Sequence, residues 1–452
     1  MSELIISVSG LRGMIGRDLS PETAMRYVTA WAETAPAGPV LVGRDGRTTG
    51  RMLQLAVQAA LMASGRHVLD ADIVATPTLG LLVRHYRAAG GVQITASHNP
   101  PEYNGLKLFS PEGRVISSQF GEEVRRRFHE SVPQWCEYHR VGSLESCPDA
   151  TRPHLEAVLR TVDADRIREK HYRVLLDSNH GAGSVLGIPL LKSLGCEVIT
   201  RGSDPNGLFD HPPEPLAENL TAVCEAVQDA QADLGFCQDP DADRLALIDA
   251  SGRYLGEEYT LAICVDHRLK SRRGPIVANC ATSRMSRDLA ARYGVPFYAA
   301  AVGEANVVDA ILRYQAVFGG EGNGGPIDPT VGLVRDSFVG MACVLDAMTA
   351  EDLPVADLAD CLPRYFILKT KVPLPREKLA AAYDMLTRQF PDAKADRLDG
   401  LRLDWADRWV LLRPSNTEPI VRVIAESPDK GQTRELCDEV RRRIEAFLSA
   451  AG

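Results

Sequence analysis

Gly91-Val92-Gln93-Ile94-Thr95-Ala96-Ser97-His98-Asn99-Pro100 runs from a short apolar segment straight into a polar turn, and Pro101-Glu102-Tyr103-Asn104-Gly105-Leu106-Lys107 follows it. An apolar run bounded by Asn-Pro chemistry reads as a strand that ends in a loop. The neighbouring segments set the context: 23–34 and 51–64 have helical spacing, while 39–42 and 67–74 are strand-like. Such alternation predicts α/β layers. Ser97 beside His98 at the mouth of the strand looks like a nucleophile on a fixed loop. A serine hydroxyl needs a base or a preorganised charge to react, and His98 and Lys107 are the nearby candidates. The competing reading of an isolated Ser-His pair is an exposed polar turn.

The same rhythm continues beyond a polar stretch at 145–153. A helix to about 160, a strand at 172–176, a helix to about 194 and strands at 196–199 and 233–237 form a second unit. A third follows from about 256, with a strand at 275–278 and a helix at 283–293. From Tyr365 the order changes to strands at 366–368, 401–403, 410–412 and 421–424 with helices at 376–389 and 433–448. The expected fold class is therefore α/β: three similar mixed α/β sheet domains, 1–150, 151–255 and 256–364, plus a smaller C-terminal α+β domain, 365–452.

The totals exclude several classes. With 452 residues, 45% hydrophobic and 25% charged, the chain has the composition of a multidomain globular protein. A net charge of −9 argues against a nucleic-acid binder, yet leaves room for a local basic pocket. The ten cysteines form no CxxC pair, so no zinc cluster is expected, and they read as buried reduced thiols of a cytoplasmic protein. The first residues do not resemble a signal peptide, and no apolar stretch is long enough to cross a bilayer.

Three further loops carry chemistry. In Asp239-Pro240-Asp241-Ala242-Asp243-Arg244, alternate carboxylates in an extended loop would fall on one side and gather hard oxygen ligands for a divalent cation. So many like charges need a counter-charge. An EF-hand is excluded, because its sixth position needs glycine where this chain has Arg244, and its twelfth needs glutamate where it has Ala250. Magnesium, which accepts few protein ligands, fits better; the alternative is a solvated acidic turn. Gly319-Gly320-Glu321-Gly322-Asn323-Gly324-Gly325-Pro326 allows close backbone approach, and Glu321 and Asn323 suit sugar hydroxyls, though a structural turn would look alike. Arg413-Pro414-Ser415-Asn416-Thr417-Glu418-Pro419, with Arg422 after it, offers charged and neutral donors for a phosphate, or is a polar hairpin. The glycines of Gly181-Ala182-Gly183-Ser184-Val185-Leu186-Gly187 miss the dinucleotide fingerprint by one position and read as a packing turn.

Taken together, the four loops resemble the α-D-phosphohexomutase family, in its order and with one loop per domain, over essentially the whole chain. The resemblance implies four domains around a central cleft and interconversion of hexose 1- and 6-phosphates through a phosphoserine and a bisphosphosugar. It implies that Ser97 is the phosphoserine and completes a Mg²⁺ site with Asp239, Asp241 and Asp243. Arg12, in Ser9-Gly10-Leu11-Arg12-Gly13, and Arg244 match family arginines of the active site, and Lys107 and His98 match positions implicated in proton transfer. Glu321, Asn323 and Gly303 would meet the sugar, while Arg413, Ser415, Asn416, Thr417 and Arg422 would hold the non-reacting phosphate. Gly325 stands where many relatives have a histidine, and Ser7-Val8 where many have Gly-Thr. The Glu-Gly-Asn-Gly-Gly loop, with Val302-Gly303-Glu304-Ala305-Asn306, is similar to the phosphoglucosamine and phosphomanno branch. The expected partners are a phosphosugar and an activating bisphosphorylated hexose, with no nucleic acid or membrane, in a monomer or homodimer. The rival readings are a phosphomannomutase or phosphoglucomutase, a non-catalytic sugar-phosphate-binding protein, and a metal-dependent phosphatase.

Overall fold

Every residue of strands Gly90–Ile94 and Leu234–Gln238 is buried, which is the pattern of parallel strands covered by helices on both faces. The computed structural model describes residues 4–7, 10–415 and 420–450. Its strands form four sheets, three of them mixed α/β. In the first, Val40–Arg44, Val68–Ile73, Gly90–Ile94 and Tyr103–Phe109 lie in the spatial order fourth, third, first, second. Arg173–Asp177, Glu197–Arg201, Leu234–Gln238 and Leu245–Asp249 repeat that order, and Ile276–Asn279, Phe297–Ala300, Phe318–Glu321 and Gly325–Ile327 repeat it again. Each time the first three strands are parallel and the fourth runs back antiparallel to the third. Strands Ile5–Ser7, Gly10–Met14 and Leu144–Ser146 widen the first sheet to seven.

This topology decides where the chemistry lies. The link from third to fourth strand carries Ser97 in the first sheet, Asp239 to Arg244 in the second, and Gly322 to Gly324 in the third. All three sit at the carboxyl ends of parallel strands, where α/β sheets bind ligands.

Local signals set the helices. Ser20 accepts a hydrogen bond from Thr23 N and Pro occupies the first turn of Pro21–Thr34, an N-terminus of the expected kind. Asp336 caps Ser337–Glu351 through Phe338 N and Val339 N. That helix is buried nearly all round, so it is central rather than peripheral. It packs on Arg152–Leu159, Ala164–Lys170 and Gly183–Ser193 of the second unit as well as on Glu257–Ser271. The second and third units consequently share one hydrophobic core. Buried His154 ties three units together, meeting Thr78 Oγ1 at 2.9 Å and Asp336 Oδ2 at 2.7 Å. Helix Ala164–Lys170 and strand Lys394–Asp396, which sequence periodicity does not announce, have almost no apolar face.

The fourth sheet is antiparallel, with five strands in the order Phe366–Pro373, Ile420–Ser427, Trp409–Pro414, Leu401–Asp404, Lys394–Asp396. Helices Leu379–Gln389 and Lys430–Ala450 cover one face with a core of its own. The other face sets Trp409, Leu411 and Ile424 against Cys280 of the third unit.

Phe236, fully buried in the core strand of the second sheet, tests this packing. Phe236→Ala should cost about 3–5 kcal/mol in denaturant unfolding, and a loss below about 1 kcal/mol would contradict the shared core.

Candidate active site

The serine loop is held by buried groups behind it. Asp45 accepts from Thr95 Oγ1 at 2.7 Å, and Thr95 Oγ1 accepts from Ser97 N at 2.8 Å. Burial raises the Asp45 carboxyl to about 6, although Arg47 and Thr95 pull it down. Arg47, 1% exposed, donates to the carbonyls of Ser97, Asn99, Pro100 and Tyr103 at 2.5–2.9 Å. One planar guanidinium therefore closes the whole loop. Ser97 itself has φ +49°, a left-handed conformation that a non-glycine residue adopts only when its surroundings enforce it. Its Oγ lies 2.9 Å from Asp239 Oδ2 and 3.2 Å from His98 Nδ1.

The aspartate loop is a tight turn, not the extended segment expected from alternate carboxylates. Its flanking strands Leu234–Gln238 and Leu245–Asp249 are hydrogen-bonded neighbours, so the intervening chain must reverse, and it does so with Ala242 at φ +55°. The turn still brings Asp239, Asp241 and Asp243 together, with ligand oxygens within 4.8 Å of one another and all three side chains fully buried. Lys107 Nζ reaches Asp241 at 3.2 Å and Asp243 at 3.0 Å. Thr76, opening helix Thr76–His85, donates its hydroxyl to Asp241 Oδ2 at 2.5 Å.

These contacts leave the negative charge incompletely answered. Burial pushes the Asp239 carboxyl far up, and Asp241 and Asp243 add to the shift. Burial also opposes ionisation of Asp243, but Arg335, Lys107 and Arg244 together hold it below the usual range. Oδ1 of Asp241 and Oδ1 of Asp243 are buried without hydrogen-bond partners. Orphaned hard oxygens on crowded carboxylates are the donor set a divalent cation needs. The cluster therefore fits a metal.

Arg335 is among the residues that sequence reading misses. Its guanidinium meets Asp243 at 2.7 Å, Glu304 at 2.9 Å and Glu321 at 2.9 Å. Glu321 also accepts from Asn279 at 2.7 Å and from Gly303 N at 3.0 Å, so its carboxylate is engaged within the third unit as well as facing the loop. Asn323 Oδ1 is buried without a partner. The line continues to the fourth sheet, where Asp399 Oδ2 accepts from Val302 N at 2.9 Å and Arg413 Nε at 2.8 Å. No local signal marks Arg335; its three partners are distant in sequence.

At the mouth, Arg12 donates to Asn99 Oδ1 and Arg244 Nη1 approaches Glu214 Oε1 at 3.4 Å. Burial lowers the His98 pKa to about 2, with Arg244 and Arg12 acting in the same direction, so its imidazole is neutral. Burial opposes the charge on Lys107, but Asp241 and Asp243 outweigh it and keep the ammonium protonated.

In the fourth sheet, the ladder sets Lys371 opposite Arg422 and Arg422 opposite Arg413, so three cations share one row on one face. Like charges directly opposite destabilise a sheet, and an anion placed over the row relieves them. Ser415 is buried beside it, its N bonded to Ile420 O at 2.9 Å. Asn416 and Thr417 of this loop, and Ser9 of the N-terminal motif, lie outside the described residues. Lys371 completes the row and was not singled out by its sequence neighbours.

Comparisons with known proteins agree on one family. Four family models match in order: Phosphoglucomutase/phosphomannomutase alpha/beta/alpha domain I over residues 4–134, domain II over 152–252, domain III over 257–365, and the C-terminal domain over 370–443. The chain is 35% identical to a Thermococcus kodakarensis protein named "Phosphoglucomutase/phosphomannomutase", covering 94% of this chain and 95% of that one. It is 33% identical to a "Probable phosphoglucosamine mutase" of the same organism, covering 98% of each. A crystal structure of a Phosphoglucomutase/phosphomannomutase family protein from Burkholderia thailandensis superimposes with TM-score 0.86 at 25% identity, covering 98% of this chain and 97% of the other.

Arg335 supplies the test. Arg335→Met leaves Asp243, Glu304 and Glu321 buried without their shared counter-charge and should cost about 3–5 kcal/mol in denaturant unfolding. Arg335→Lys, a point charge that cannot span three carboxylates, should fall between the variant and wild type; equal stability of all three would remove the bridge.

Proposed function

The chain belongs to the phosphoglucomutase/phosphomannomutase family and is a phosphohexomutase, and we propose that it interconverts glucosamine 1-phosphate and glucosamine 6-phosphate, with Ser97 as phosphoryl carrier. The observation that carries the mechanism is Ser97 Oγ at 2.9 Å from Asp239, inside a cluster of buried carboxylates. A serine hydrolase of the acyl-transfer kind relies on a base to activate its serine; here the serine also meets carboxylates that fit a cation, which suits a group that carries negative charge. The glucosamine assignment is supported by the name of the relative above and by the form of the 319–326 loop. Glucose and mannose phosphates are the second reading.

Asp239, Asp241 and Asp243, with the Ser97 side, would hold Mg²⁺, which when bound supplies positive charge to the transferring phosphoryl group. The protein's own residues do the rest. The cationic row of Arg413, Arg422 and Lys371, with Ser415 and the undescribed Asn416 and Thr417, holds the phosphate that does not react. Glu321, Asn323 and Gly303 orient the sugar between the two ends. The sugar hydroxyl forms a bond to phosphorus as the bond to Ser97 Oγ breaks. In transfer from Ser97, the neutral His98 imidazole, 3.2 Å from Ser97 Oγ, takes the proton of the attacking sugar hydroxyl and the Lys107 ammonium gives one to the departing serine oxygen; the roles reverse when phosphate returns. Arg12 and Arg244 neutralise the phosphoryl oxygens. The bisphosphosugar then turns over, its other phosphate returns to Ser97, and the isomeric monophosphate leaves. Positioning and charge stabilisation account for the rate.

Intact-mass measurement of the purified protein after incubation with a hexose 1,6-bisphosphate should find one added phosphoryl group that is absent in Ser97→Ala; an unmodified, inactive wild type would overturn the carrier role. For the metal, Mg²⁺ at a hundredfold excess over its Kd should stabilise wild type by about 2.7 kcal/mol, and Asp241→Asn should lose that response while remaining folded. An equal Mg²⁺ response in the variant would remove the proposed site.

A further inference from the structure

Helix Glu257–Ser271 opens with two adjacent acids that the steps above do not use. Glu258 has a structural role. Its Oε2 accepts from Ser283 N at 3.0 Å, and its carboxylate lies so close under Gly322 that a Cβ there would meet it at 2.1 Å. Any side chain at position 322 would collide with it, so Glu258 supports the floor of the sugar loop.

Glu257 is different. It is 7% exposed, and its Oε1 is buried with no hydrogen-bond partner. The charged groups that act on it come from three units: Arg244 and Glu214 from the second, Arg335 from the third and Lys369 from the fourth sheet. Burial pushes its carboxyl up, against Arg244 and Lys369. Arg244 is directed to Glu214, and Lys369 is exposed. Glu257 therefore precedes the residue that supports the 322 loop and lies within electrostatic reach of Arg244 and Lys369, with a buried acceptor oxygen that no protein donor meets.

A buried carboxylate with no donor is costly. In a cleft that must accept a sugar with phosphate at either end, it also repels the ligand. A neutral hexose would leave both costs in place. A sugar that carries its own positive charge between the two phosphates would cancel them, because its ammonium donates to the free oxygen and offsets the negative field. We propose that Glu257 is a specificity-determining residue that receives the C2 ammonium of glucosamine phosphate. The inference rests on the glucosamine reading above and names the side chain that would enforce it.

The test uses the full-length enzyme with its bisphosphate activator and Mg²⁺. kcat/KM is measured for glucosamine 1-phosphate and glucose 1-phosphate in wild type, Glu257→Gln and Glu257→Asp, and the Kd of glucosamine 6-phosphate and glucose 6-phosphate is measured by calorimetry. Hydrogen bonds to charged groups predict that wild type favours the amino sugar by about tenfold or more. The ratio should fall at least tenfold in Glu257→Gln and by less in Glu257→Asp. Removing an unpaired buried charge should not lower the thermal midpoint of Glu257→Gln. If that variant nevertheless fails to fold, the Asp variant and the wild-type Kd ratio still decide. A wild type with no preference for the amino sugar overturns both the glucosamine reading and this inference. A wild type that prefers it, with the same ratio in the variants, overturns this inference alone.

Discussion

Three carboxylates share one buried turn, and the rest of the site is arranged around the charge they bring. Asp239, Asp241 and Asp243 lie fully buried with their oxygens within 4.8 Å of one another, a spacing that carboxylates tolerate only with counter-charge. Lys107, delivered by the strand that follows the serine loop, answers Asp241 and Asp243 from the first unit. Arg335, just before a central helix, answers Asp243 from the third. The same guanidinium fixes Glu304 and Glu321, Glu321 fixes Gly303 N, and the adjacent Val302 N shares Asp399 with Arg413 of the fourth sheet. An unbroken polar line thus joins the aspartate turn to the cationic row of the fourth sheet.

The second organising fact is topological. One four-strand order occurs three times, and its third-to-fourth link is used each time for a different chemical part: a hydroxyl, a carboxylate cluster and a glycine-rich loop. Because the link follows a buried parallel strand, its first residues are rigidly placed. Ser97 at φ +49°, Ala242 at φ +55° and Gly324 at φ +77° put the backbone in left-handed geometry at all three links. The strain is local, and the packed strands on either side sustain it.

Much of this was legible in the sequence, and the limit of legibility has a physical cause. Alternating periodicity predicted three α/β units and an α+β end, because burial on both faces of a parallel sheet leaves apolar runs that short-range reading detects. The four loops stood out only together, because their order along the chain resembles one family's while each alone reads equally as an ordinary polar turn. The geometry of the aspartate loop did not follow, since alternate carboxylates read as extended while the pairing of its flanking strands demands a turn. Arg335, Arg47 and Lys371 were invisible for a different reason. Each acts through partners far away in the chain, and an arginine before a helix or a lysine in an edge strand looks like any solvated charge until the fold brings its partners in. Glu257 was likewise unremarkable as a helix-opening acid, a position that the helix dipole alone would favour.

In the proposed reaction Ser97 passes its phosphoryl group to sugar and not to water. Enzyme carrying a ³²P-labelled phosphoryl group, mixed with a stoichiometric hexose 1-phosphate and quenched at millisecond intervals, reports this directly. Label should leave the protein into a bisphosphosugar before any 6-phosphate accumulates, with little inorganic phosphate. Label released chiefly as inorganic phosphate, or retained on the protein while 1- and 6-phosphates interconvert, would contradict it.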